Sequence, residues 1–219
     1  MDCVNTIWNY GSRIKALFNY PETHSHGWNH IMEVANLTLK LMDQDGLTSQ
    51  HDQAIALLAA LFHEAWDQKL PDCQKRDQAA SDLLEDILST ERWLDVSNYL
   101  IRKICVRISF TREQNFGDKD WDEEIGAYRK IRDYVSDADK ITALGVAGVE
   151  RARLYQIEYY EARGRKLTEQ ESWEMYWTYS WTPRLQYYSR YMRTPAGIKK
   201  SAELVDGMMA YHRKVGLIP

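Results

Sequence analysis

No stretch of this chain reaches the roughly eighteen consecutive apolar residues that a membrane-spanning helix needs. Met1 to Tyr20 is broken by Asp2, Asn5, Asn9, Arg13 and Lys15, so no secretory leader core is expected there. Cysteine is scarce. Cys3, Cys73 and Cys105 are odd in number, far apart and without a CxxC pair, which suits a reducing compartment and argues against a thiolate zinc site. A cytoplasmic protein without membrane contact is therefore expected. Proline is limited to five residues and low-complexity tracts are missing, so no linker divides the 219 residues and one large domain, spanning 1–219, is expected. A basic excess is lacking too. The formal net charge of -4 gives no surplus of cations to displace counterions from a nucleic-acid polymer, and none is expected as a partner.

What is present is an apolar run, Leu57-Leu58-Ala59-Ala60-Leu61-Phe62, that ends in His63-Glu64. Nearly continuous apolar character from Ala54 to Phe62 leaves no polar face, which predicts a central helix buried on all sides. An imidazole and a carboxylate at the end of such a helix need partners, because a buried charge costs several kcal/mol unless it is paired or ligates a metal. The competing reading is a helix that surfaces at Phe62 and leaves both groups in water. Candidate co-ligands lie upstream at His30 and downstream at Asp139. His24, His26 and His30 fall within seven residues. His30 precedes Val34 by one turn on the face formed by Ile31, Val34, Leu37, Thr38 and Leu41, so its ring is expected on the core side. The alternative is that His24 and His26 are loop residues and His30 a satisfied core histidine. Around Asp139, Val135, Ala138, Ile141 and Thr142 share one side; Asp139 flanks this stripe while Asp137 lies farther round, which makes Asp139 the better ligand candidate.

Other helices are expected over Val4 to Tyr20, stopped by Pro21 and weakened by Gly11; from His30 to Gly46; and over Asp77 to Leu88, Val96 to Ile108 and Tyr128 to Leu144. Thr48 to Asp52 supplies capping residues for the buried helix, with His51 read as a solvated loop residue. Gly117 to Glu124 reads as an acidic surface loop. The small residues Ala143 to Val149 permit close helix packing, but their glycines lack phosphate-loop spacing. Residues 151–193 are crowded with aromatics, and Trp173, Trp177 and Trp181 recur at helical spacing. Core packing, a subunit interface and base stacking all remain open for them.

These residues resemble the HD-domain metal-dependent phosphohydrolases, in a small bacterial-type branch. Ser25 to Val34 is similar to that branch's SHDWxHxxRV, Leu57 to Lys69 to LLAALLHDIxDxK, Ile108-Ser109-Phe110 to ISF, and Asp137 to Arg151 to DADRLDALGAIGIAR. Segments like FYEKL and MNTxxGKKxA are similar to Trp181 to Leu185 and Met192 to Ala202. The resemblance covers most of the chain in the right order. It implies an all-α fold, a single-domain HD-type helical bundle around one divalent metal held by His30, His63, Glu64 and Asp139. Glu64 replaces the aspartate of the His-Asp pair, and Gly27 replaces the aspartate that follows the first histidine. A glutamate can still ligate from a longer side chain, whereas Gly27 removes a possible carboxylate partner for a histidine.

Two imidazoles and two carboxylates leave a divalent ion with positions for water and a substrate oxygen. The resemblance points to Mn, while Mg, Co, Ni, Fe and Zn are also compatible with the ligands. The expected activity is hydrolysis of a nucleotide or related small phosphate ester by a metal-activated water. Glu64 and Asp67 are expected to serve the chemistry, Asp67 by orienting or deprotonating the water. Lys69, Arg184 and His26 are expected at the substrate, with 151–193 helping to cover it. Two alternatives stay open: a di-iron oxygenase of the same superfamily, which would recruit His26 as an extra ligand, and a non-catalytic metal- or nucleotide-binding module in which Glu64 and Gly27 mark a degenerate site.

Overall fold

The computed structural model describes residues 2–18, 25–67, 73–116 and 124–218, and among these there is no β-strand. In chain order the helices are α1 (Cys3–Trp8), α2 (Gly11–Lys15), α3 (Trp28–Gln44), α4 (Gln50–Phe62), α5 (Cys73–Thr90), α6 (Asn98–Val106), α7 (Phe110–Phe116), α8 (Arg129–Thr142), α9 (Gly145–Glu161), α10 (Glu169–Tyr176) and α11 (Pro195–Lys214). Short 3₁₀ turns at Arg92–Leu94, Gly126–Tyr128 and Leu185–Tyr191 and a π-helical turn at Trp177–Trp181 join some of them.

Helix α4 is the axis of the bundle, as the apolar run predicts. Every residue from Ala54 to Phe62 is without exposed surface, and the helix is surrounded by α1, α3, α6 and α8. Each buried Leu, Ile or Phe contributes roughly 1.5–3 kcal/mol, against a few tenths for the propensity differences between residues, so burial rather than intrinsic preference selects this helix. Ser49 caps its start by accepting from the Asp52 amide. His51 is not a loop residue as expected: it sits in the first turn of α4, and its Nε2 donates to the Leu94 carbonyl at 2.7 Å.

Two further expectations change. The segment from Val4 toward Tyr20 is not one helix. It breaks at Asn9–Tyr10 ahead of Gly11, a residue of poor helix propensity, and Tyr10 donates its hydroxyl to Glu91 at 2.7 Å. The tryptophan stripe is not continuous α-helix either, because α10 passes into the π-helical turn at Trp177. Trp177 and Trp181 stack at 5.7 Å and close on His212 of α11, while Trp173 rests on Tyr211, so these rings are used in packing α10 against α11. Residues 117–123, most of the expected acidic loop, lie outside the described residues.

Helix α8 sends consecutive charged side chains to different places. Asp137 is fully buried and accepts from the amides of Arg193 (3.0 Å) and Thr194 (2.8 Å) and from the Thr194 hydroxyl (2.8 Å), which ties down the start of α11. Gly197 is required there: a Cβ would stand 2.4 Å from Asp137 Oδ2. Lys140 is equally buried, with its Nζ 2.8 Å from Glu113 Oε2 and donating to Ser136 Oγ at 2.6 Å. Asp139, between them, faces the end of α4.

Candidate metal centre

The run Ala54–Phe62 carries His63 and Glu64 to the end of α4 inside the protein, where they are 8% and 5% exposed. The reading in which α4 surfaces at Phe62 therefore does not hold. Where α4 ends, the His63 Nδ1 donates to the Ala60 carbonyl at 2.6 Å. That bond assigns the proton of a neutral His63 to Nδ1 and turns the Nε2 lone pair toward the site. His30 enters from the first turn of α3, and Asp139 from α8.

Glu64, Asp139 and His63 each bring a donor atom to His30 Nε2. His30 Nε2 lies 3.3 Å from Glu64 Oε1, 3.3 Å from Asp139 Oδ1 and 3.3 Å from His63 Nε2, and His63 Nε2 lies 3.5 Å from Glu64 Oε1. Adjacent ligands of an ion with bonds of about 2.1 Å stand roughly 3.0–3.4 Å apart at octahedral or tetrahedral angles. The spacing and chemistry of this donor set thus fit a divalent cation. Two facing imidazole nitrogens repel unless a proton or metal ion lies between them, and the carbonyl end of α4 adds negative potential.

Electrostatics agree with that reading. Burial opposes the charged form of His63, yet Glu64 and Asp139 lift its pKa to about 9. His30 is held below its ordinary value by burial and by the nearby charge of Arg151. Burial works against ionised Glu64 too, but the imidazoles of His26, His30 and His63 hold it well below the usual carboxylate range. Asp139 likewise resists burial and is held at about 2 by the histidines and Arg151. The site keeps its carboxylates ionised, and it favours a proton on His63 while disfavouring one on His30.

No family model matches the chain. The uncharacterized protein YpgQ of Bacillus subtilis (strain 168) is 26% identical over 134 residues, which are 61% of this chain and 58% of that relative. The matched part therefore spans less than two thirds of its length. The crystal structure of B. subtilis YpgQ in complex with ADP aligns with 95% of this chain and 95% of its own at a TM-score of 0.64 and 20% identity. An HD-superfamily hydrolase from Bacillus thuringiensis aligns over 97% of this chain and 96% of its own at a TM-score of 0.57 and 19% identity. The fold is an HD-type helical bundle.

Within this HD-type frame the donor cluster opens onto a cavity of about 320 Å³ lined by His63, Glu64, Asp139 and His26. His26 donates from Nδ1 to Glu64 Oε1 at 2.8 Å and meets Tyr155 edge-on. His26, His30 and Glu64 form one candidate ligand group and His30, His63 and Asp139 another, and the two meet at His30. Asp67 and Arg184 both reach the cavity wall. Asp67 is set there by Arg76, which donates to the carbonyls of Ala65 and Asp67 at 2.9 and 2.7 Å. Lys69 lies outside the described residues. Sequence reasoning singled out none of Trp66, Phe110, Tyr188 or Arg151 individually, though Arg151 and Tyr188 belong to the 151–193 segment expected to cover the substrate, and all four line the cavity. Phe110 and Arg151 belong to segments whose resemblance was legible, whereas Tyr188 was hidden among many other aromatics. Among the described residues no helix is long and apolar enough to cross a membrane.

Proposed function

We propose that this protein is a metal-dependent phosphohydrolase acting on a nucleotide or related small phosphate ester. The observation that carries the reading is the set of 3.3–3.5 Å separations among His30, His63, Glu64 and Asp139, donor atoms spaced as ligands of one ion at the wall of a ligand-sized cavity. His30, His63, Glu64 and Asp139 would hold the ion, Mn by resemblance and with Mg, Co, Ni, Fe or Zn compatible. When bound, it supplies Lewis-acid stabilisation of phosphoryl charge and a lowered pKa for water. The remaining roles fall to the chain. Arg184 is a cation in the wall, suited to phosphate oxygens. His26, braced by Glu64 and Tyr155, borders the substrate. Asp67, fixed through its backbone by Arg76, orients the attacking water and accepts its proton. The water oxygen bonds to phosphorus as the phosphorus–oxygen bond to the leaving group breaks, and the leaving oxygen is protonated from solvent.

The ADP complex of YpgQ supports a nucleotide as the substrate class, because that fold accommodates a nucleoside diphosphate. The cavity here also joins aromatic rings, Trp66, Phe110 and Tyr188, to cationic Arg151 and Arg184, which suits a base and its phosphates. Nucleoside mono-, di- and triphosphates assayed with Mn, Co, Ni or Mg should release phosphate or pyrophosphate. Absence of turnover across that panel with bound metal demonstrated would overturn the reading, as would two irons per purified chain.

A further inference from the structure

Arg151 lies at the junction of the two ligand-bearing regions. Gly148, where a Cβ would stand 2.1 Å from the Ala143 carbonyl carbon, allows α9 to fold back closely on the end of α8 and brings Arg151 beside Thr142. The Arg151 guanidinium donates from one terminal nitrogen to Thr142 Oγ1 at 3.2 Å and from the other to the Ser25 carbonyl at 3.1 Å. The Thr142 hydroxyl in turn donates to the Asp139 carbonyl at 2.7 Å. Arginine is thus held at both ends, immediately before His26 on one side and beside Asp139 on the other. Five N–H groups are available to a guanidinium and these bonds use two. Its Nε is buried with no partner among the described residues, and the side chain lines the cavity with His63, Glu64 and Asp139. Arg184 lines the same cavity but its guanidinium makes no hydrogen bond or ion pair with a described residue.

We infer that these two arginines divide the phosphate chemistry, with Arg151 as the fixed cation that contacts the reacting phosphoryl group and Arg184 as the adaptable cation that binds a more distant phosphate or leaving group. This inference rests on the phosphohydrolase reading. A cation already fixed beside the donor cluster needs no reorganisation when charge develops on phosphoryl oxygens, so its contribution falls on the transition state. A cation that is ordered only on binding contributes similarly to ground and transition states and falls on substrate affinity.

Steady-state kinetics of Arg151→Gln and Arg184→Gln, on whichever nucleotide wild type hydrolyses, test the division. Arg151→Gln is expected to lower kcat by about 10²–10³-fold with little change in KM, and Arg184→Gln to raise KM by about tenfold with kcat within about threefold. Arg151→Lys, which keeps the charge but loses the fork, is the second variant and should lower kcat by about tenfold. Glu158→Gln controls for a purely structural role, because Glu158 holds the same Ser25 through its amide at 3.1 Å and its hydroxyl at 2.5 Å. It should keep kcat within about threefold. Independently of turnover, binding of orthovanadate, which can adopt the five-coordinate geometry of phosphoryl transfer, to metal-free protein, followed by ⁵¹V NMR, should weaken about tenfold in Arg151→Gln and stay unchanged in Glu158→Gln. Unchanged kcat in both Arg151 variants, equal losses in Arg151→Gln and Glu158→Gln, or unaltered orthovanadate affinity in Arg151→Gln would overturn the inference. Wild type that hydrolyses nothing while binding metal would instead overturn the phosphohydrolase reading.

Discussion

Asp139 and Lys140 are neighbours on α8, yet their side chains enter two buried charged clusters built in opposite ways. Lys140 joins a closed cluster: Glu113 is 2.8 Å from Lys140 Nζ, accepts from Arg193 Nε at 2.7 Å and is 3.4 Å from Arg132, and Ser136 accepts from Lys140. Asp139 joins an open one, in which two carboxylates and two imidazole nitrogens crowd together beside a cavity, and the nearby Arg151 donates to Thr142 and the Ser25 carbonyl rather than to either carboxylate. The closed cluster already contains its counter-charges and ties α7, α8 and Arg193 together. The open cluster is completed by a proton or by an ion from outside. What the difference teaches is that burial of charge alone does not mark a site; a surplus of lone pairs facing a cavity does.

The largest effect should come from breaking the closed cluster. Burial disfavours ionised Glu113, but Lys140 and Arg132 hold its pKa below the ordinary value. Glu113→Gln removes the charge and leaves Lys140 buried without its carboxylate, while Arg132 keeps Asp133 at 2.6 Å, a loss of about 3–5 kcal/mol. Urea unfolding should show it, and Mn should not restore it. A variant as stable as wild type would mean that the cluster is not closed in the sense described.

Next in size is the response of the open cluster to metal. Free ion at a hundred times its Kd should stabilise wild type by about 2.7 kcal/mol, raising Tm. Glu64→Ala should lose that shift and Glu64→Asp should retain it with an altered rate. An equal shift in wild type and Glu64→Ala would place the ion elsewhere.

Acidity sharpens the contrast at somewhat smaller scale. For His63 the folded pKa, about 9, exceeds the unfolded value of roughly 6.5. Protonation of His63 therefore stabilises the fold fully below about pH 6.5, and that contribution is lost as pH rises through 9. Asp139, held at about 2, contributes stability above its unfolded value of roughly 3.8 that is lost as pH falls through 2. Metal-free protein should thus lose on the order of 1–3 kcal/mol between pH 6.5 and 9, while Mn affinity rises over the same window because the ion displaces the proton. Denaturation midpoints measured across pH with and without Mn check both signs; a flat metal-free curve would mean that Glu64 and Asp139 do not raise the pKa of His63.

The open cluster was more legible in the sequence than the closed one for a physical reason. An apolar run that ends in His63-Glu64 is a local signal, and His30 and Asp139 follow from helical spacing within their own segments. Glu113, Lys140, Arg132 and Arg193 carry no such signal, because each looks like a solvated charge until tertiary packing removes the water. Arg151 was obscure for the same reason: its place beside the cluster depends on the fold-back at Gly148, which spacing along one helix does not reveal. The break at Asn9–Tyr10 and the π-helical turn at Trp177 belong to tertiary packing as well, since Tyr10 is drawn to Glu91 and Trp177 and Trp181 to His212.

The smallest expected effect comes from Gly27, and it asks whether the open cluster is fully supported on its outer side. A ligating histidine usually donates its second nitrogen to a carbonyl or carboxylate. His63 does so through Ala60, but the buried Nδ1 of His30 has no partner among the described residues. Gly27 stands one turn before His30, where the resembling sequences carry aspartate, and it is the N-cap of α3 without a side-chain bond to the helix. Its φ of -79° and ψ of -179° are open to any residue, so aspartate fits the backbone. Gly27→Asp should add a few tenths of a kcal/mol as a helix cap and, by reaching His30, tighten Mn by about tenfold. Titration calorimetry with Mn and a melting curve separate the two contributions. A raised Tm with unchanged Mn affinity would mean that the carboxylate caps α3 without supporting His30, and that the unpartnered nitrogen does not limit the affinity of the centre.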